Sequence, residues 1–102
     1  MRRDVFQGIA DPTRRAILGR LANENLNLTM LTDHYDISRQ SVTKHIRILE
    51  QCGLVTIEKK GRERYLKARP EKLVEVIKWA AQYQAFFKES YDRLDDYLKT
   101  ME

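Results

Sequence analysis

The sequence predicts a mainly α-helical fold with one small β-hairpin, arranged as a single domain over residues 1–102. Three observations support this prediction. Apolar residues recur at helical spacing through most of the chain, two short runs ("LVTIE" and "ERYLKA") have strand character, and there are no repeats or low-complexity tracts. With 102 residues, of which 33% are charged, the chain fits a small globular domain and not a disordered segment.

Three helices are predicted in the first third of the chain. The apolar positions of "VFQGIA" indicate a first helix over residues 3–9. Asp11 can cap a second helix, and Pro12 suits its first position because an N–H there would have no partner anyway. "NENLN" interrupts the pattern and predicts a loop, after which a short third helix is expected over about residues 28–35.

A fourth helix is predicted in "SRQSVTKHIRILEQCGLV", residues 38–55. Ser38 is a good N-cap and Gly53 is a natural C-terminal stop. Between them, apolar residues at i, i+4 and i+7 form one buried stripe: Val42, Ile46 and Leu49. Only "DIS" separates this helix from the third one, so residues 28–53 are predicted to form a helix-turn-helix, whose second helix is the one that enters the DNA major groove.

The opposite side of the fourth helix is polar. At about 100° per residue, the stripe faces away from Gln40, Lys44, Arg47 and Gln51, with Ser41 and Thr43 on its flanks. Gln can pair bidentately with adenine, Lys can donate to guanine, and Ser or Thr can bond either a base or a phosphate. These side chains are therefore candidates for contact with DNA.

A β-hairpin is predicted over residues 54–68, with "KKGR" as its turn. Four cations lie around the tip of this hairpin: Lys59, Lys60, Arg62 and Arg64. Since the hairpin separates them from the core, they can reach a phosphate backbone.

The charge of the chain is concentrated in this middle region. The chain has a net charge of +4, and residues 37–67 hold 8 basic and 3 acidic side chains, whereas residues 1–36 are neutral and residues 68–102 have a net charge of −1. A localised basic surface favours a polyanion such as nucleic acid. The alternative at this stage is a patch that only keeps the protein soluble.

A long helix is predicted over residues 71–100. Its apolar residues step alternately by four and three from Leu73 to Leu98, a heptad seam interrupted by Gln84 and widened by aromatic residues such as Trp79 and Tyr83. Because the three-helix core is small, we expect the seam to pack partly on its own domain and partly on a second copy. Docking entirely within one chain is the alternative.

The order of these segments resembles the ArsR/SmtB-type winged helix-turn-helix repressors. The most specific pieces are "IADPTRRAIL" at residues 9–18, "DISRQSVTKHIRILEQCGLV" at 36–55 and "KKGRERYLKA" at 59–68, and the resemblance extends over nearly the whole chain. The tail "WAAQYQAFFKESYDRLDDYL" is similar to a subgroup that often neighbours genes for small lipid-pocket or stress proteins.

The resemblance implies a homodimeric repressor of transcription that binds double-stranded DNA at an inverted-repeat operator, with the hairpins acting as wings. The resemblance assigns base contacts to Gln40, Ser41, Thr43 and Lys44, and wing contacts to Lys60, Arg62 and Arg64. Their positions on the fourth helix add Ser38, Arg39 and Arg47 to the predicted DNA contacts, Arg39 because a basic side chain in the first turn favours a phosphate. The dimer would join through the first and last helices, with Val5, Phe6, Trp79, Tyr83, Phe87, Tyr91, Leu94 and Leu98 at the interface. Many members release DNA when an inducer binds, so an inducer or a regulatory protein is a further partner that the sequence does not identify.

The residues that usually sense metal in this family are missing. The third helix has no cysteine and the last helix has no histidine, which leaves His34, His45 and Cys52 as soft or borderline ligands. His45 and Cys52 share a helix face but are about 10 Å apart along it, too far to hold one ion together. No metal site or cofactor is therefore expected. His45 is interpreted as a packing and hydrogen-bonding residue, and Cys52 as a small half-buried residue, with a redox switch as its alternative.

Other functions are less well supported by the sequence. It contains no phosphate-binding glycine loop and no recognisable catalytic constellation, so an enzyme is not expected. A winged-helix module that binds protein instead of DNA is the main alternative function. No apolar run approaches the roughly 20 residues of a membrane span, and no signal peptide is evident. We therefore expect a cytoplasmic location and no insertion into a membrane.

Overall fold

The computed structural model describes residues 4–100, and the predicted start of the first helix at residue 3 lies outside this range. The described residues form a mainly α-helical fold with a three-stranded antiparallel sheet, as predicted except for one additional strand. The helices are α1 (Val5–Ile9), α2 (Pro12–Asn23), α3 (Leu28–Thr32), α4 (Arg39–Gln51), α5 (Val74–Ala81) and α6 (Gln84–Thr100), and the strands are β1 (Leu26–Asn27), β2 (Val55–Lys60) and β3 (Glu63–Ala68).

The starts of the first two helices are fixed by aspartate caps. Asp4 and Gln7 form a capping box on α1, in which each side chain bonds the backbone N–H of the other residue, at 3.0 and 3.1 Å. The Asp11 carboxylate accepts the backbone N–H of Arg14 at 3.0 Å, and Pro12 occupies the first turn of α2. The predicted restart of the chain at "DPTRR" is therefore confirmed.

The segment "NENLN", predicted as a loop, contains the short strand β1. Leu26 and Asn27 pair with Leu66 and Tyr65 of β3, which gives the strand order β1-β3-β2. Leu26 is buried by this pairing, and the side chain of Asn27 caps α3. A two-residue strand is too short to show a periodic pattern, so its position depends on the β3 partner and not on local sequence.

The predicted anchoring of α4 is confirmed. Ser38 accepts the N–H of Ser41 at 3.1 Å, and the three residues of the apolar stripe, Val42, Ile46 and Leu49, are 0–2% exposed. They belong to one core cluster with side chains of α2, α3 and the sheet, for example Ile17, Leu31 and Leu54. This cluster fixes which face of α4 points outward.

The predicted stop at Gly53 is also confirmed. The N–H of Gly53 bonds the Glu50 carbonyl and the N–H of Leu54 bonds the Leu49 carbonyl, both at 3.0 Å, which is the Schellman pattern. Gly53 has φ +80°, a backbone conformation that favours glycine. The helix therefore turns directly into β2.

The turn before α4 is longer than predicted. The third helix ends at Thr32 instead of about Tyr35, and the chain then closes two tighter i to i+3 bonds, from His34 to Leu31 and from Tyr35 to Thr32. The segment from Asp33 to the cap at Ser38 therefore joins the two helices.

The single helix predicted over residues 71–100 is not continuous. A 3₁₀ turn at Pro70–Leu73 leads into α5, and two residues, Gln82 and Tyr83, separate α5 from α6. There the Tyr83 N–H bonds the Ala80 carbonyl at 3.0 Å, and the Gln82 side-chain amide donates to the Trp79 carbonyl at 2.9 Å. These i to i+3 bonds interrupt the regular α-helical ladder, which the heptad pattern alone did not reveal.

The last helix projects from the rest of the molecule. Every described residue of α6 is exposed, and the radius of gyration is 17.3 Å, compared with about 13 Å for a compact domain of this length. The alternative that the whole segment docks on its own chain is therefore wrong for α6. No helix within residues 4–100 has both the length and the apolar character needed to cross a membrane.

Val5 requires a correction to the predicted dimer interface. Its side chain is only 3% exposed, because it packs into the core of its own chain. Phe6, the next residue, is 38% exposed and lies edge-to-face with Trp79 of α5, with ring centroids 5.9 Å apart. Val5 therefore stabilises the position of α1, and Phe6 is the residue of this pair that remains available to a partner.

We predict opposite effects for alanine at two helical glycines. A Cβ at Gly8 would lie 2.7 Å from Leu54 Cδ1 and 3.2 Å from Cys52 Sγ, whereas a Cβ at Gly19 would meet nothing within 4 Å. Leu54 is fully buried, so its side chain must repack within the core to admit the added methyl group. In urea denaturation, Gly8→Ala should lower the free energy of unfolding by about 1–3 kcal/mol, and Gly19→Ala should raise it by up to about 1 kcal/mol. A stabilising effect of Gly8→Ala would contradict the packing of α1 described above.

Candidate nucleic-acid interface

The polar residues predicted on α4 lie together on its outer face. Arg39, Gln40, Lys44 and Arg47 are exposed, Thr43 is half-buried beside them, and the five side chains line one open depression of the surface. Their common orientation follows from the burial of the opposite stripe. The face therefore offers amide, hydroxyl, ammonium and guanidinium donors side by side, the groups that bond base edges and phosphates.

Ser38 and Ser41, two of the predicted DNA contacts, are hydrogen-bonded to each other at the start of α4. The Ser38 hydroxyl accepts the Ser41 N–H and donates to the Ser41 hydroxyl at 3.0 Å. Both residues are exposed, but Ser38 is already used as the cap. The structure thus gives Ser38 a role in starting the helix, and leaves Ser41 at the edge of the polar face.

A cleft of about 360 Å³ lies between the N-terminal part of α4 and the hairpin. Three arginines line it, Arg39 from α4 and Arg62 and Arg64 from the hairpin, together with Thr29 of α3 and Glu63. In the described part of the chain, no ion pair engages any of these three guanidinium groups. The helix and the hairpin, predicted separately from the sequence, therefore form one continuous basic surface.

The register of the hairpin places its cations on two different faces. Ile57 pairs with Leu66 on the core side, and because alternate residues share a face, the next pair on that side is Lys59 with Arg64. Lys60 lies on the other side, where its ammonium group is 5.7 Å from the ring centroid of Tyr65. Lys59 is among the four cations predicted to reach a phosphate backbone but not among the assigned DNA contacts, although the alternation along "VTIEKK" indicates that it shares the face of Arg64.

The tip of the hairpin is a two-residue turn. Lys60 pairs with Glu63, so Gly61 and Arg62 form the loop, and Gly61 has φ +63°. A glycine at the first loop position fits a type II′ turn, whose twist matches that of the strands. The turn directs Arg62 toward the cleft that it shares with Arg39.

His45 is on the inner edge of α4 and not on its polar face. Its Nδ1 atom lies 3.4 Å from the guanidinium group of Arg14 on α2 and 3.9 Å from the carboxylate of Asp11, the residue that caps α2. The interpretation of His45 as a packing and hydrogen-bonding residue is confirmed by these contacts. The pKa of Asp11 is lowered chiefly by the backbone N–H of Arg14, with smaller contributions from the nearby His45 and the Arg14 side chain.

The described residues offer little support for a metal site or a redox switch. Within residues 4–100, no three His, Cys, Asp or Glu side chains converge on a point that could hold a metal ion. Cys52 is 9% exposed and lies under Gly8 of α1, so the interpretation of Cys52 as a small packing residue agrees with its burial. Since its thiol is covered by α1, oxidants have little access to it.

Comparison with known proteins relates this geometry to a family. The sequence family described as "Helix-turn-helix domain" matches residues 9–58. The protein named transcriptional repressor SdpR, from Bacillus subtilis, is 33% identical over 76 residues, which cover 74% of this chain and 84% of that protein. A solved ArsR family transcriptional regulator is 37% identical, with 81% of this chain and 86% of that chain covered and a TM-score of 0.72.

The chain belongs to the ArsR-type winged helix-turn-helix regulators. A second solved structure, an ArsR-like transcriptional regulator from Rhodococcus sp. RHA1, is 28% identical with a TM-score of 0.72, covering 96% of this chain and 90% of that one. The family resemblance predicted from the sequence is thus confirmed. In ArsR terms, α3 and α4 are the helix-turn-helix and the β2-β3 hairpin is the wing.

This ArsR-type chain also exposes a second surface, which is apolar. Trp79 and Tyr83 on α5 and its junction, and Tyr91 and Leu94 on α6, are 54%, 47%, 69% and 52% exposed. Phe87 and Leu98 continue the same stripe on α6. Exposed large apolar side chains grouped in this way are typical of interaction sites.

We predict that the two faces of the wing differ in their effect on DNA binding. Arg64→Gln should reduce the affinity for duplex DNA severalfold and lower the slope of log K against log salt by about 0.9 for each lost phosphate contact. Lys60→Gln removes the same charge from the outer face, and should have a smaller effect on both quantities. Fluorescence anisotropy at several salt concentrations measures them, and a larger effect of Lys60→Gln would show that the wing meets DNA with its outer face.

Proposed function

We propose that the protein is a homodimeric repressor that binds an inverted-repeat operator, with one α4 helix in the major groove of each half-site. The observation that supports this most strongly is the continuity between the polar face of α4 and the arginine cleft of the wing. A helix that fits a major groove and a hairpin that reaches the neighbouring backbone need such a surface on one side of the molecule.

The residues divide into two roles in this proposal. Gln40 and Lys44, at the centre of the exposed face, are placed to bond base edges, while Thr43 at its border can reach a base or a phosphate. Arg39 and Arg47 at the ends of that face, and Arg62 and Arg64 of the wing, would bond phosphates and set the register of the protein on the duplex. The proposal assigns no catalytic step and no cofactor.

The apolar surface of α5 and α6 supports the dimer. Because α6 contributes no buried residue within its own chain, the stripe of Phe87, Tyr91, Leu94 and Leu98 needs a partner to leave water. Association of two identical stripes gives twofold symmetry, and a twofold dimer binds a site with inverted-repeat symmetry. Phe6, which touches Trp79, extends this surface onto α1.

Repression is the regulatory effect proposed for this dimer. The relative SdpR is named a transcriptional repressor. A dimer that covers two successive major grooves would exclude other proteins from the same stretch of promoter, without any further activity. Binding to a protein in place of DNA is the alternative function, and the basic surface of α4 and the wing counts against it.

The base-contact assignment predicts a large loss of affinity in one double variant. Gln40→Ala with Lys44→Ala should weaken binding to the selected operator by about 100-fold, since each good base contact contributes about 1–3 kcal/mol of discrimination. Affinity is measured by anisotropy against the operator and against random duplex. Lys88→Ala, which removes one positive charge from α6, is the control and should change operator binding less than twofold.

Two results would contradict the proposal in different ways. Unchanged operator binding by the double variant would refute the assignment of Gln40 and Lys44 but not DNA binding itself. A wild-type protein that binds no duplex more tightly than random DNA would favour the protein-interaction alternative.

The dimer assignment predicts a monomer when the apolar stripe receives a charge. Leu94→Glu should shift the protein from dimer to monomer at micromolar concentration in sedimentation equilibrium, because a carboxylate in the interface loses its hydration. Ala85→Glu places the same side chain on the opposite side of α6, where the helix is exposed, and should leave the dimer intact. A monomeric wild-type protein at that concentration would overturn the dimer.

A further inference from the structure

We propose that Arg14 is a positioning residue for DNA recognition: its side chain fastens the end of α1 to the recognition helix α4 through His45, and so fixes the orientation in which α4 meets the operator. This inference rests on the DNA-binding function proposed above. Arg14 is half-buried at the start of α2, and it has no place in the polar face of α4 or in the arginine cleft.

The Arg14 side chain joins three elements of the fold. Its Nε atom donates to the Gly8 carbonyl at 3.0 Å and one terminal nitrogen donates to the Gln7 carbonyl at 2.8 Å, both at the carboxyl end of α1. The other terminal nitrogen reaches His45 Nδ1 on α4 at 3.4 Å. The backbone N–H of Arg14 is held by the Asp11 cap, so the side chain starts from a fixed point on α2.

Arg14, His45 and Asp11 form one polar cluster between α2 and α4. The guanidinium group carries donors only, so in its contact with His45 Nδ1 it can donate but cannot accept. Asp11 lies 3.9 Å from the same nitrogen, too far for a hydrogen bond, and balances the guanidinium charge. His45 directly follows Lys44 in the chain, so the bond acts on the turn of α4 that carries the proposed base contacts.

The same α1 helix touches the apolar surface proposed for the dimer. Phe6 packs against Trp79, and Gly8 packs against Cys52 and Leu54, just beyond the end of α4. A contiguous set of contacts therefore runs from the α5 surface through α1 and Arg14 to α4.

The test uses variants that keep the charge of the protein and change its hydrogen bonds. Arg14→Lys retains one cation, but a single nitrogen on a flexible stem cannot reproduce the fixed fork of the guanidinium group. We expect it to reduce affinity for the selected operator about tenfold, while the affinity for random duplex and the salt slope stay as in the wild type. Partial loss of folding would instead lower both apparent affinities by the same factor, and correction for the active fraction would restore both.

Variants at His45 test the other side of the same bond. His45→Asn places an amide oxygen near the position of Nδ1 and should keep operator affinity within about twofold, whereas His45→Leu should lose about as much as Arg14→Lys. The double variant Arg14→Lys with His45→Leu should be no weaker than either single variant, because both remove one shared interaction. These variants also keep the test decisive if Arg14→Lys does not fold.

Arg15 provides the matched control. Its guanidinium group donates to the Ile9 carbonyl at 2.7 Å, so it also ties α2 to α1, but it makes no bond to α4. Arg15→Lys should therefore change operator affinity less than twofold. Operator binding by Arg14→Lys equal to that of the wild type, or additive losses in the double variant, would overturn the positioning role alone. A wild-type protein without preference for any duplex would overturn the proposed function together with this role.

Discussion

Burial of the apolar stripe on α4 is the interaction on which the rest of the structure depends. Val42, Ile46 and Leu49 lose almost all contact with water, and each such burial contributes about 1.5–3 kcal/mol. Because the three residues lie on one side of the helix, their burial determines which side faces outward. The ends are fixed independently, by the Ser38 cap and the Gly53 stop, so the helix can neither slide nor rotate without losing one of these contacts.

Two surfaces of opposite character result from this arrangement, and they lie on different elements. The basic one combines α4 with the wing, where Arg39, Arg62 and Arg64 share a cleft. The apolar one follows α5 and α6, of which α6 projects away from the core. α1 is the element that contacts both parts of the molecule, since it packs under the end of α4 and also against Trp79. A helix of five residues thus lies between the two surfaces.

Local signals in the sequence predicted most of the fold, because helix caps, glycine stops and periodic apolar residues each depend on a few residues that are close together in the chain. They could not predict β1, which exists only through its partner β3, or the interruption before α6, where the apolar pattern continues across the break. The outer face of α4 was predictable from periodicity. The cleft of Arg39 with Arg64 and the bond from Arg14 to His45 join residues distant in sequence, so they required the folded structure.

The central claim is that the outer face of α4 reads the bases of a symmetric operator. Selection of bound duplexes from a random pool, carried out with the wild type and with Gln40→Ala, tests it most directly. We expect the wild type to select an inverted repeat with half-sites separated by whole turns of the double helix, and the variant to lose preference at one equivalent position in each half-site. An unchanged consensus, or a selected site without twofold symmetry, would contradict this account.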